Sequence, residues 1–398
     1  MPITFDPPAE RETPAGTSRA RVHCALALDE VDALETSWRE MHSDVPNPLG
    51  QFNWTRACLA AFPADSTPHV VAATAGARLL ALAPLVQKRR HGVCRLYLAG
   101  AGELLEPMDL VWTDAKACAR VFQSLARSGA PLVFERVPAN SLSVPLLRRA
   151  YFGRALVSVS RGQPCAYLAL NESWLVPECQ LPPDDQAALV RARRAAEALG
   201  QVTTEIHAPD LRDLASVLDE AFDVESSGWP ADAAVPTSGR PTPLSRDPQR
   251  AVFYLQYARA ACVEGVLRVC FLRIDGRAVA MQIAVESGGA FWLLRAGHDP
   301  EFTDCRPDQL LARETIRYAA ESGLASYELL CTADDTYRKW RPQQRACVAV
   351  NVYPLSLRGL AALLADLAVA THGRWRAPIA NAVQALARLV SAAMMHWV

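Results

Sequence analysis

The chain has 398 residues, 51% hydrophobic and 21% charged, and its formal net charge is −1. That length suits two or three domains, and the balance is that of a core-forming protein without the broad basic field that nucleic-acid partners select. Its eleven cysteines are scattered, with no C-x-x-C pair and no Cys/His spacing suited to zinc; they read as reduced, buried small hydrophobes and point to the cytoplasm.

Residues 1–20 are polar and proline-rich without an apolar h-region, which predicts a disordered leader rather than a signal peptide. Residues 31–61 predict helix broken at Pro46-Asn47-Pro48, with Leu34, Trp38 and Met41 on one face and Trp54, Cys58 and Ala61 on another. Strands are predicted at 69–74, 79–86, 94–99 and 108–112, then a helix at 115–128 and a strand at 132–137. The join to a second half is expected within 171–183, where Pro177, Pro182 and Pro183 punctuate the pattern. A helix at 184–199, ended by Gly200, precedes a strand at 202–207 and a helix at 210–222. A Pro/Gly/Ser-rich loop at 226–248 leads to a helix at 249–263; loops of that length inside compact domains are uncommon unless functional or disordered.

Residues 267–340 carry the densest signal. Three β-rich runs, 267–274, 278–286 and 290–296, are separated by Asp275-Gly276 and Gly288-Gly289, which suit tight hairpins. Pro307 heads a helix over 308–322, a strand follows at 326–331, and Tyr337-Arg338-Lys339-Trp340 closes the segment. The same strand–strand–strand–helix–strand order occupies residues 69–137, so the two halves share a pattern without sharing sequence. Strands that feed a helix whose start faces a loop offer an acyl-carrier site, because the dipole and the N–H groups at a helix start favour phosphate. Further on, 355–370 and 378–398 read as Ala/Leu-rich helices linked through Arg374 and Arg376. The last, with Val383, Leu386, Leu389, Val390, Met394, Met395 and Trp397, either packs against the body or a second copy, or makes peripheral membrane contact. No uncharged apolar run approaches the roughly 20 residues of a membrane helix.

The order of motifs resembles the CelD-type branch of the GNAT acyltransferase superfamily, a branch related to FemAB-type transferases. The matching features are the Asp275-Gly276 turn, Ala280, Gly297-His298-Asp299-Pro300-Glu301-Phe302, Pro307 with Leu310-Leu311, and Tyr337-Arg338 with Trp340. Upstream, Arg191-Ala192-Arg193-Arg194 and Ser226-Ser227-Gly228-Trp229 correspond to a basic helix and a Ser-Trp motif, and Trp38, Phe52 and Trp54 to sections of the first half. The resemblance covers residues 30–355. It implies an α+β fold of two GNAT-like halves, 21–170 and 171–355, each a mixed, mostly antiparallel sheet with flanking helices, followed by a helical tail at 356–398. It also implies an N-acyltransferase that moves an acyl group from acyl-CoA, such as acetyl-CoA, to an amino group of a sugar or peptide precursor in envelope or exopolysaccharide biosynthesis.

Such transfer needs positioning, a base and oxyanion donors rather than a protein nucleophile. Accordingly G-x-S-x-G, the P-loop and G-x-G-x-x-G are absent from suitable strand–helix settings. The catalytic candidates are Tyr337, Glu328 and His298. His298 is either a base for an amine or a turn residue before Asp299-Pro300; Glu328, opposite in facing to Tyr327 and Leu329 along its strand, is a base or a solvated strand position. The donor would be held by Arg306, Pro307, Asp308, Gln309 and Leu310, with Pro307 in the first helical turn. No glycine occurs in 303–308, and Asp308 stands where the family usually has glycine, so Asp304 and Asp308 put carboxylates where phosphate would sit. The acceptor would meet Trp229, Arg338, Trp340, Arg191 and Arg194. Arg191 and Arg194 share a helix face, Trp229 is a loop plug or a stacking platform with Pro230 in place of the family's lysine, and Trp340 comes one residue early. Two other functions fit the same residues: a FemAB-like aminoacyl transferase using aminoacyl-tRNA, and a catalytically degenerate GNAT-fold binding protein. Neither metal nor nucleic acid is expected for the leading reading.

Overall fold

The structure is a computed structural model that describes residues 20–42, 47–64, 66–228, 243–330 and 335–372. In chain order its elements are β1 (Arg21–Ala25), α1 (Leu28–Asp32), α2 (Glu35–His42), α3 (Phe52–Ala61), β2 (Ser66–Pro68), β3 (Val70–Ala75), β4 (Arg78–Ala83), β5 (Leu85–Arg90), β6 (Val93–Leu98), α4 (Ala101–Leu104), β7 (Val111–Trp112), α5 (Ala115–Ser128), β8 (Leu132–Pro138), α6 (Ser143–Ala150) and β9 (Ala155–Arg161). They continue with β10 (Cys165–Ala169), α7 (Pro183–Leu199), β11 (Val202–His207), α8 (Leu214–Ser227), α9 (Pro248–Val263), β12 (Leu267–Ile274), β13 (Arg277–Ser287) and β14 (Ala290–His298). The last are α10 (Pro307–Glu321), β15 (Ser326–Leu330), α11 (Asp335–Arg338), β16 (Gln343–Arg345), β17 (Cys347–Pro354) and α12 (Leu357–His372).

The chain divides into two compact units, one built on Cys165–Arg345 and the other on Leu49–Pro164 with the chain from Ala346. The first of these holds a seven-stranded sheet in the order β11-β12-β13-β14-β15-β10-β16. Its ladders are antiparallel except β14 with β15, which α10 connects as a crossover. The other unit holds a six-stranded sheet, β2-β5-β6-β8-β17-β9, and a four-stranded one, β1-β3-β4-β7. There β6 and β8 form the parallel pair and β17 lies antiparallel between β8 and β9. The two units thus repeat one plan, the α+β pattern of two GNAT-like halves.

In both units the strand beside the parallel pair comes from outside the contiguous run of its partners: β10 precedes every strand it joins, and β17 follows every one. Unit boundaries therefore fall at 164/165 and 345/346 rather than at 170/171 and 355/356. Neither β10 nor β17 was expected as a strand, nor were β1, β9, β16 and α6. One strand expected over 79–86 is two: Pro84 lacks the N–H a ladder needs, so β4 pairs with β3 and β7 while β5 pairs with β2 and β6. Of the strand expected at 108–112 only Val111–Trp112 forms, and the join region 171–183 is two short 3-10 turns, Glu172–Leu175 and Pro177–Gln180. The leader 1–19, most of the loop 226–248 and the last predicted helix lie outside the described residues.

The central strands β12, β13 and β14 are buried along nearly their whole length, as expected for a sheet covered on both faces. One face meets α10 and α7, and Leu310, Leu311, Ile316 and Ala319 of α10 join Cys270, Leu272, Ala284, Phe291, Leu293 and Tyr327 in one core. The other face meets α8 and α9. Pro307 opens α10 where its missing N–H has no intrahelical partner to lose.

Candidate active site

β14 and β15 run parallel through Ala290↔Ser326, Phe291↔Tyr327 and Trp292↔Glu328, where the ladder ends. β14 bulges immediately afterwards: Ala284 of β13 pairs with Leu293 and Ile283 with Arg295, leaving Leu294 without a register partner on β13. The Leu294 carbonyl instead accepts the Tyr254 hydroxyl at 3.1 Å. Two parallel strands joined at one end and parted at the other make a fork, and a bulge at its crotch re-aims the local backbone. Backbone amides directed into such a cleft can stabilise the oxyanion of an acyl-transfer intermediate.

An aromatic and amide cluster lines the face toward α10. Phe291 and Tyr327 stack at 4.8 Å, and Tyr337 lies 6.2 Å from Tyr327. Tyr337 is rooted on α11, beyond β15, yet its hydroxyl accepts the Gln282 side-chain N–H at 2.8 Å on β13. Gln282 pairs with Ala296 of β14 just past the bulge, so Tyr337 meets the sheet beside that small side chain. The Gln282 carbonyl oxygen accepts the Tyr327 hydroxyl at 3.1 Å, and Tyr327 meets the Thr315 hydroxyl at 3.1 Å. Burial pushes the Tyr327 phenol up from its usual value, so it stays protonated at neutral pH.

On the opposite face a buried ion pair joins Arg295, just past the bulge, to Glu225 of α8. The second Glu225 oxygen accepts the Leu244 backbone N–H at 3.0 Å, tying the chain that follows the Ser/Pro-rich loop to the same strand. Gly297 permits this approach, since a Cβ there would come 2.9 Å from the Glu225 Cα. Nearby, Glu328 is neither solvated nor unengaged. Its carboxylate pairs with Arg345 and accepts the Ser326 hydroxyl at 2.6 Å. The Arg345 guanidinium lies 3.6 Å from the Tyr167 ring centroid. Glu328 thus holds β15 to β16, which corrects the expectation of a solvated strand position.

At the start of α10, Arg306 adopts a left-handed conformation with φ 43°, and its carbonyl accepts the N–H groups of Gln309 and Leu310 at 3.1 and 3.2 Å. Asp308 accepts the Thr336 hydroxyl, and Gln309 accepts Lys339 Nζ at 3.4 Å, with Asp185 3.5 Å from the same ammonium. Pro307 and Leu310 are buried in the core. This helix start presents a carboxylate and a hydroxyl where an anion cradle would present bare N–H groups. Arg306 and Arg338 are exposed.

The structure brings Tyr337 and the start of α10 together through α11, and it separates other candidates from them. Trp340 is 4% exposed and packs against Trp174 at 6.2 Å, so it is a core residue with no ring face for a substrate. Arg191 and Arg194 are exposed on α7, while Arg193 between them pairs with Glu197. His298 ends β14, half-buried, and Asp299 caps the following turn by accepting the Glu301 N–H at 3.0 Å. Trp229 lies outside the described residues. Sequence reasoning missed Gln282, Arg295, Glu225 and Arg345. For the first two a signal existed: a lone polar residue inside the apolar runs VAMQIAV and FWLLRAG, where burial demands a partner.

Residues 186–339, from within α7 through α11, match the acetyltransferase (GNAT) domain family. The protein is an acyltransferase, and the fork, the bulge and Tyr337 all fall inside the matched span. No curated protein matches the sequence. Among solved structures, FemX is similar with a TM-score of 0.53 at 11% identity, over 84% of this chain and 97% of that one. The C-terminal DUF2156 domain from Agrobacterium fabrum, named for a lysylphosphatidylglycerol synthetase, gives 0.51 at 13% identity over 85% and 97%. A conserved protein of unknown function from Bacteroides thetaiotaomicron gives 0.51 at 13% identity over 83% and 99%. At these identities the likeness is one of fold.

Proposed function

We propose that the protein is an N-acyltransferase of the CelD-type branch, moving an acyl group from acyl-CoA to an amino group of a sugar or peptide precursor of envelope or exopolysaccharide. One observation carries this reading: within the GNAT-matched span a parallel strand pair ends at a bulge, and the Tyr337 hydroxyl meets Gln282 of the neighbouring strand β13. The acceptor nitrogen attacks the thioester carbon while β14 amides at the bulge stabilise the oxyanion. The Tyr337 hydroxyl then protonates the departing sulfur. His298, at the end of β14, takes the acceptor's proton in this reading, and Arg306 and Arg338 supply positive charge for the donor's phosphates. Arg191, Arg194 and Trp229 remain proposed acceptor contacts. The protein would act in the cytoplasm, with peripheral membrane contact through the segment that follows α12. No helix among the described residues is long and apolar enough to cross a membrane.

The test is thiol release from acetyl-CoA in the presence of glucosamine. Tyr337→Phe should lower kcat by about 100-fold or more, within the range of general acid catalysis, at a stability cost of about 1 kcal/mol from the lost Gln282 hydrogen bond. Unchanged turnover would remove Tyr337 from the chemistry. A second reading, aminoacyl transfer from aminoacyl-tRNA, is favoured by one feature, the Asp308–Thr336 contact at the helix start. If coenzyme A phosphate binds there, Asp308→Gly removes a repelling carboxylate and tightens acetyl-CoA binding. An unchanged dissociation constant would favour the aminoacyl donor.

A further inference from the structure

We infer that one tip of the unit built on Leu49–Pro164, together with the outer face of α12, is a docking surface for an anionic lipid bilayer. This lies beyond the acyl-transfer reading and uses none of its residues. β9 begins where β17 ends: Pro354 pairs with Ala155, and the Leu355 N–H donates to the Arg154 carbonyl at 2.8 Å. The turn before β9 and the entry to α12 therefore share one tip. Phe152 and Leu357 are each 87% exposed there, and Leu355 is 65% exposed.

α12 extends this apolar tip. Asp366 accepts the buried Arg95 guanidinium at 2.6 Å and the Tyr353 hydroxyl at 2.8 Å, and Ala362 and Leu363 are buried. Those residues fix which face of the helix meets the sheet. At about 100° per residue, Leu357, Leu360, Ala361 and Leu364 fall on the opposite face, and all four are exposed. Single apolar side chains on a surface need no explanation, but a contiguous row marks an interaction site. Its charge is of one sign. Arg148, Arg149, Arg154 and Arg358 are exposed on the same two segments. Residues 137–171 contain neither Asp nor Glu, and 346–372 contain only Asp366, which pairs with Arg95. Leucines and a phenylalanine set among arginines match the boundary between headgroups and acyl chains in an anionic leaflet. A second copy matches poorly, because a two-fold contact sets a patch against itself and brings arginine to arginine.

Co-sedimentation of the full chain with lipid vesicles tests this. The chain should bind vesicles of mixed phosphatidylglycerol and phosphatidylcholine, less as salt rises, and bind pure phosphatidylcholine roughly 10-fold more weakly or less. Phe152→Ser combined with Leu357→Ser should lower the partition coefficient roughly 10-fold or more. Arg148→Gln combined with Arg149→Gln should lower it about 20-fold on the anionic vesicles, at about fivefold per arginine, and leave binding to pure phosphatidylcholine unmoved. All four side chains are exposed, so the urea midpoints of both variants should match the parent's. The segment that follows α12 is intact in both, so a loss of binding belongs to the tip. Binding equal to the parent's in either variant overturns the inference and assigns membrane contact elsewhere on the chain. A parent that does not bind anionic vesicles overturns it too, as does a parent dimer that the serine variant dissociates, which would make the stripe an interface between copies.

Discussion

Removing Arg295 while leaving Glu225 in place isolates what the ion pair beneath the fork contributes. The two side chains are 7% and 2% exposed, so neither charge is screened by water. Arg295→Met leaves a buried carboxylate with the Leu244 N–H as its described hydrogen-bond donor, and breaking one side of such a pair costs about 3–5 kcal/mol. One charge-assisted hydrogen bond of about 1.5–3 kcal/mol survives, which places the expected loss near the lower end, about 3 kcal/mol. For a unit of this size that corresponds to a fall in Tm of roughly 6–12 °C. Glu225→Leu combined with Arg295→Met exchanges the pair for apolar bulk, and such swaps are near neutral or stabilising. The double variant should therefore recover most of what the single loses. Urea unfolding of the four proteins in the cycle measures the coupling directly. A single variant that loses less than about 1 kcal/mol, or a double that loses the sum of both singles, would refute the assignment of this pair as mutually dependent buried charges.

Burial pushes the Asp109 carboxyl up to about 6 from 3.8, against hydrogen bonds from Ser141, Ser143 and the Leu110 N–H. The folded state therefore holds this proton to higher pH than the unfolded chain. The contribution is fully present below 3.8, declines as pH rises to about 6 and is flat above it. Asp109→Asn should remove that decline, worth at most about 3 kcal/mol, in the difference between parent and variant urea midpoints from pH 4 to 7. Trp340→Ala should cost about 3–5 kcal/mol as a core deletion. Activity lost at unaltered stability would instead restore Trp340 as a substrate platform. A fragment spanning 171–345 omits β10 and opens the sheet between β15 and β16, so it should aggregate or unfold where 165–345 does not. Equal urea midpoints for the two fragments would show β10 dispensable.

The sheet that carries the site was largely legible because its local signals agree with its tertiary role. Asp275-Gly276, with φ 48° and 81°, meets the requirement of a two-residue hairpin, and β12 falls where its β-rich run ends. The helix expected from 308 begins at Pro307, as first-turn chemistry dictates. What failed to show were strands defined by distant partners. β10 and β17 are runs whose pairing is decided by a vacancy beside a parallel pair more than a hundred residues away in sequence for some of their partners. Local propensity holds no record of such a vacancy.

The site divides along the same line. Tyr337 could be singled out because an aromatic-basic cluster after a strand is a local feature, but its neighbours in that cluster go elsewhere: Trp340 into the core and Lys339 to Gln309 and Asp185. The helix α11 ends at Arg338 and the chain turns at Lys339-Trp340, so a cluster contiguous in sequence is split between directions. The bulge at Leu294 was invisible for a different reason. It depends on a one-residue mismatch between β13 and β14 that no composition signals, yet it shifts Ala296 to the face where Gln282 and Tyr337 meet. Without that shift Arg295 would point toward α10 and lose Glu225, and Tyr337 would meet a guanidinium in place of a methyl group. The chemistry of the fork is thus set by register, with the polar residues Gln282 and Arg295, each buried within an apolar strand, marking its two faces.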